Sequence, residues 1–143
     1  MLEEFVFSEI ASRKGFDNTP PKEALDNLGR VATLLEQVRK IINRPIQITS
    51  GYRCKELNQA IGSSETSQHR RGCACDFKVK GMTPNEVVKS IIDSDIQFDQ
   101  LIREFYTEGS GGGWTHISVP NDIYLTPRNQ ALIIDKNGVR PYS

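Results

Sequence analysis

The chain has 143 residues, with 18 basic and 18 acidic side chains, a formal net charge of zero and three cysteines. That length fits one domain over residues 1–143 with a core of its own, and the balanced charge argues against a nucleic-acid binder driven by bulk electrostatics. The odd cysteine count without a CxxC argues against a disulfide framework, no run of roughly 18 apolar residues marks a membrane span, and the acidic start MLEEFVFSEI lacks the basic, then apolar, pattern of a signal peptide.

In chain order, FVFSEI reads as a short packing segment. TPPKE (19–23) predicts a helix start, with Thr19 as cap and proline in the first turn. Leu25, Leu28, Val31, Ala32, Leu35, Val38 and Ile42 then recur at steps of three and four, one apolar stripe ending near Asn43. IQITS (46–50) reads as a strand, CKELNQAI (54–61) as a short helix stopped by Gly62, and SSETSQ as a polar loop. CACDFKV (73–79) alternates as a strand does. It places Cys73, Cys75, Phe77 and Val79 on one face, and Ala74, Asp76 and Lys78 on the other. The cysteines read as small buried hydrophobes.

TPNE (83–86) is a capping box before a helix whose buried stripe is Val87, Val88, Ile91 and Ile92. FDQLIREFY (98–106) is a strand candidate and GSGGG (109–113) a flexible turn. WTHISV (114–119) is a strand with His116 and Ser118 opposite Ile117 and Val119. ALII (131–134) with the DKNG turn gives a last strand or hairpin. The expected fold class is α+β: a small, mostly antiparallel sheet with helices packed on one side.

Both histidines of the chain fall in two of these segments. Asp76 and His116 lie on the polar faces of their strands, and His69 sits in the loop just before Asp76. If the two strands pair, the three side chains converge. Two imidazoles and a carboxylate are a common catalytic zinc set that leaves one position for water. The same residues also fit a loop histidine, a strand histidine and a capping aspartate.

SGYRCKELN, SQHRRGCACDF, FDQLIREF and WTHISV together resemble the zinc D-alanyl-D-alanine carboxypeptidase family, in its compact branch of phage lysis enzymes and phage-like bacterial proteins. Ser67, His69, Gly72, Ala74 and Asp76 meet the Ser-x-His-x-x-Gly-x-Ala-x-Asp signature, followed by His116. Ser50, Gly51, Tyr52 and Arg53 meet an upstream Ser-Gly-Tyr-Arg, and FVFSEIASRKGFDNTPP is similar to the start of such domains. The resemblance covers about residues 5–119. It implies a fold like that of hedgehog and D-Ala-D-Ala peptidases, a Zn2+ cofactor on His69, Asp76 and His116, and hydrolysis of a peptide bond in peptidoglycan stem peptides. The bond would be the terminal D-Ala-D-Ala of a carboxypeptidase or the target of a phage-type endopeptidase.

Relatives often place an acidic residue a few positions before the last zinc histidine, whereas Gly112, Gly113, Trp114 and Thr115 stand there in this chain. Glu104 is the candidate base, since it would reach the zinc site if its strand neighbours WTHISV; Asp99 and Glu108 are substitutes, and pairing with a Lys or Arg is the plain alternative for Glu104. The resemblance makes Arg53 the group that steadies substrate or transition-state charge. Ser67, Gln68, Tyr52 and Trp114 are candidate substrate contacts, and Arg70 and Arg71 read as a solvated pair. The expected localisation is synthesis in the cytoplasm and action on the cell wall, as for an enzyme released at phage lysis, with peptidoglycan peptide as partner and a monomer as the oligomeric state. The alternative is a zinc-containing binding or phage structural module with little or no turnover, favoured by the missing acidic residue before His116.

Overall fold

Two prolines set where the first long helix begins. The computed structural model describes residues 3–109 and 111–142; Met1, Leu2, Ser143 and Ser110 of the glycine-rich turn lie outside the described residues. Short helices α1 (Glu3–Val6) and α2 (Glu9–Lys14) precede α3 (Lys22–Ile42). Thr19 does not cap α3: the residue before a proline is pushed out of the helical region, and the chain stays extended until Pro21, which is the N-cap (φ −66°, ψ 165°). Helix α3 ends at Asn43 in the left-handed conformation. Its buried stripe runs through Ala24, Leu28, Val31, Leu34, Leu35 and Val38, while Leu25, expected inside, is exposed.

The remaining elements are β1 (Ile46–Ser50), α4 (Lys55–Ala60), a 3-10 turn (Gln68–Arg71), β2 (Ala74–Val79), α5 (Pro84–Ile92), β3 (Gln100–Glu104), β4 (Trp114–Ser118), β5 (Gln130–Asp135) and β6 (Gly138–Pro141). The capping box forms as expected: Thr83 Oγ1 accepts from Glu86 N, and the Glu86 carboxylate accepts from Thr83 N. Val87, Val88 and Ile91 of α5 are buried, but Ile92, the next step of the proposed stripe, is exposed. The last segment is a hairpin, β5–β6. No helix among the described residues is long and apolar enough to cross a membrane.

The six strands form one sheet in the order β1-β2-β4-β3-β5-β6. It is mixed, which corrects the mostly antiparallel expectation: β3 and β5 run parallel. The reason lies at one end of the sheet. Strand β4 finishes beside the start of β3, where Asp99 N donates to Ser118 O and Gln100 N to Ser118 Oγ. The segment 119–129 stays at that end, steps over β3 and enters β5 beside Gln100. Short connections imply antiparallel neighbours only when the neighbours are consecutive in sequence, and here β4 intervenes.

One sheet face carries Cys75, Phe77, Leu101 and Ile117, all buried, under α3 and α5. Each fully buried large side chain contributes about 1.5–3 kcal/mol, so this layer anchors the strands. All three cysteines are free and buried, as expected. The alternate residues point to the opposite face: Asp76 pairs with His116, and Ser50 with Asp76.

Gly72 closes the 3-10 turn at φ +74°, and a Cβ there would strike the Ala24 carbonyl of α3. Gly29, inside α3, has nothing within 4 Å of a built Cβ. Gly72→Ala is expected to destabilise the fold by about 2 kcal/mol or more, and Gly29→Ala to stabilise it by about 0.5–1 kcal/mol. Thermal unfolding of the two variants checks both signs.

Candidate metal centre

Three elements bring the polar residues together. The 3-10 turn presents His69, β2 presents Asp76 and β4 presents His116 from the position directly across from Asp76. The ligand atoms of these three lie within 4.8 Å of one another, and all three residues are buried (3%, 5% and 7% exposed).

Asp76 Oδ1 is shared: His69 Nε2 lies 3.2 Å from it and His116 Nδ1 3.0 Å. The other carboxylate oxygen, Oδ2, accepts from Arg53 Nη2 at 3.3 Å. Burial acts to raise the Asp76 pKa, but the neighbouring His69 and the contacts from both imidazoles outweigh it and hold the carboxyl well below the ordinary carboxylate range. Asp76 is therefore the negative charge of the cluster. Burial is also the largest influence on His69 and holds its pKa below the ordinary imidazole value, against the pull of Asp76.

Those facts test whether a metal fits. Each ring nitrogen of His69 faces an acceptor, Nδ1 the Gly51 carbonyl at 2.8 Å and Nε2 the Asp76 carboxylate. A neutral imidazole has one N–H, so it satisfies only one of them. A second proton would satisfy both, but burial opposes the charged ring. With Nδ1–H donated to Gly51 O, the Nε2 lone pair is left facing Asp76, and a divalent cation between them removes the conflict. A backbone carbonyl on the far nitrogen is the usual way a metal-bound histidine is oriented. The donor set, two imidazoles and one carboxylate, suits zinc with a position left open.

The surrounding backbone holds this geometry. Arg53 N donates to His69 O at 3.1 Å, so the turns 50–53 and 67–72 clasp each other. Gly51 has no room for a side chain, since a Cβ would overlap the Phe5 backbone. Buried Asn18 fastens the same turn to the N-terminal segment: its Nδ2 donates to Val6 O and Tyr52 O, and its Oδ1 accepts from Cys54 N.

Glu104 joins the cluster. It pairs across the hairpin with Trp114 and so shares the face of His116, with Oε1 3.7 Å from His116 Nδ1. Burial and then Asp76 raise its carboxyl above the ordinary range. Arg53 donates its Nε to Ser50 Oγ, which aims the guanidinium across the site toward Asp76. The other candidates are placed as follows. Ser67 Oγ accepts from His69 N and so shapes the turn. Gln68 points to Asp99, Val119 and Asn121. Tyr52 is part of the core cluster. Trp114 is half-buried and stacks on Phe105, with ring centroids 5.4 Å apart. Asp99 is taken up by Arg128, and Glu108 by the Tyr106 hydroxyl. Arg70 and Arg71 line a polar groove of about 430 Å3 that includes none of the three histidine and aspartate ligand candidates.

Ser50 and Gly51 belong to the Ser-Gly-Tyr-Arg motif but carry no assigned role in the sequence reading, and Phe105 is not singled out there. Ser50 was within reach of alternation, since it faces Asp76 across β1–β2. The Gly51 carbonyl and the Phe105 backbone (φ 53°), which lets the ring meet Trp114 although Phe105 follows Glu104 directly, have no sequence signal.

Residues 1–118 match the family model described as Peptidase M15. The match ends with β4, before the 119–129 segment and the β5–β6 hairpin. No curated protein matches the chain.

Zinc is expected to raise the thermal stability, by about 2.7 kcal/mol at a hundredfold excess over its dissociation constant. Asp76→Ala and His116→Ala should abolish that gain while remaining folded. Thermal unfolding with added zinc and with a chelator measures it.

Proposed function

The chain belongs to the peptidase M15 family, whose members are zinc-dependent metallopeptidases, and from that premise we propose that it hydrolyses a peptide bond in peptidoglycan stem peptides, near a D-alanine. The observation that carries the reading is the shared Asp76 oxygen between His69 and His116, with Glu104 on the same sheet face.

His69, Asp76 and His116 would hold the zinc. When bound, the ion supplies Lewis acidity toward the scissile carbonyl and lowers the pKa of water toward neutrality. The protein's own groups do the rest. Glu104, half-shielded from solvent and raised in pKa by burial, accepts a proton from the attacking water at Oε1 and returns it to the leaving amine. Arg53 places a fixed positive charge beside the cluster, where it steadies a substrate carboxylate or the developing oxyanion. Ser50 keeps that guanidinium aimed. Trp114 and Phe105 form an aromatic wall next to Glu104 on which part of the peptide rests. Glu104 supplies the acidic group missing from the positions just before His116, so the glycines there do not by themselves favour a turnover-free module.

Peptidoglycan fragments incubated with the purified protein are expected to yield a new product by mass spectrometry, and a chelator should remove it. The mass difference names the bond. Glu104→Gln should lower turnover by about 10²–10⁴-fold with zinc still bound. A variant as active as the wild type would remove Glu104 from the mechanism, and wild-type protein that binds zinc but releases no product from any wall type would leave a binding module.

A further inference from the structure

A second buried carboxylate lies outside the catalytic cluster. Asp99 is 4% exposed and precedes β3. It accepts from Arg128 N at 3.2 Å, Arg128 Nε at 3.0 Å, Arg128 Nη2 at 2.6 Å and Gln68 Nε2 at 3.0 Å. The same Gln68 nitrogen lies 3.0 Å from Val119 O and 3.0 Å from Asn121 Oδ1. One amide thus meets three acceptors from β3's start, β4's end and the segment that follows it.

The positions of these residues in the chain give the node its meaning. Gln68 immediately precedes His69. Asp99 leads into the strand that ends at Glu104. Val119 follows the strand that carries His116, and Asp99 N donates to Ser118 O at the same point. Every element that supplies a group to the site from beyond β2 is therefore tied to the His69 turn through Gln68 and Asp99. Arg128 closes the node from the segment after residue 118, outside the part of the chain matched by the family.

We propose that Gln68 and Asp99 are positioning residues: their hydrogen bond sets the pitch of the 67–72 turn against β3 and β4, and so the placement of His69 relative to His116 and Glu104. The inference rests on the reading of His69, Asp76 and His116 as a metal site. In this role both residues act without touching the metal. Gln68 acts through the turn and Asp99 through Gln68. Arg128 neutralises Asp99, which otherwise would be a buried charge without a cation.

The test is zinc affinity, measured with zinc alone by competition against a chromophoric chelator, on folded protein. Gln68→Leu and Asp99→Asn are each expected to weaken zinc binding roughly tenfold or more. The double variant Gln68→Asn/Asp99→Glu shortens one side chain and lengthens the other by a methylene, which keeps the span. It should bind zinc more tightly than the product of its two single losses predicts. A merely structural role would lower the thermal midpoint but leave the zinc dissociation constant of the folded protein at the wild-type value, and that result overturns the proposal. Should Gln68→Leu fail to fold, the shorter Gln68→Asn carries the same comparison. Wild-type protein that binds no zinc overturns the metal reading itself, whereas wild-type binding with unaffected variants overturns only the positioning role.

Discussion

The structure depends on one buried carboxylate being neutralised. Asp76 lies within the sheet, almost without access to water; the Arg53 guanidinium is its fixed counter-charge, and the His69 and His116 rings face its other oxygen. A bare ion in such a place costs several kcal/mol, so each of its neighbours has to be held by something else. The Gly51 carbonyl holds His69, Ser50 holds Arg53, and the β2–β4 ladder holds His116. Those supports in turn account for features that look unrelated to chemistry. Gly51 is a glycine because the Phe5 backbone occupies the place of its side chain, and Asn18 is buried because it bonds both flanks of the same turn.

Much of this was legible in the sequence, for a physical reason. Alternation in CACDFKV and WTHISV divides each strand into a core face and a polar face, so pairing the strands puts Asp76 and His116 on one face, and the register sets them directly opposite each other. The capping box at 83–86 and the stop at Asn43 were legible because they depend on local hydrogen bonds alone. What failed depended on tertiary context. Leu25 and Ile92 fit a helical stripe, but at the margin of the stripe the decision belongs to the packing partner, and both stay 40% exposed. The parallel β3–β5 pair was hidden because strand order, unlike strand periodicity, leaves no local mark.

The three acidic candidates for a base show the same division. Asp99, Glu104 and Glu108 lie within ten residues and look alike as letters. Donors surround Asp99, which is a neutralised structural charge. Glu108 takes a tyrosine hydroxyl on the loop. Glu104 alone reaches the triad, and it does so because strand alternation puts position 104 on the face of His116. Environment, not residue type, separates a carboxylate tied up by the fold from one left facing the site.

The charge of the cluster also constrains what it can serve. Asp76 and Glu104 contribute two negative charges when ionised, Arg53 contributes one positive charge, and buried His69 resists protonation. With both carboxylates ionised, the cluster holds more negative charge than the fixed positive charge of Arg53 offsets, which disfavours the carboxylate end of a peptide or an oxyanion forming on its carbonyl. A divalent cation held by His69, Asp76 and His116 would offset that charge and make the same pocket attractive to both. It would also lower the electrostatic cost of placing Glu104 beside Asp76, a pair of like charges. A bound metal, the arginine and the second carboxylate would thus support one another: each would lower the cost of holding the others at this depth.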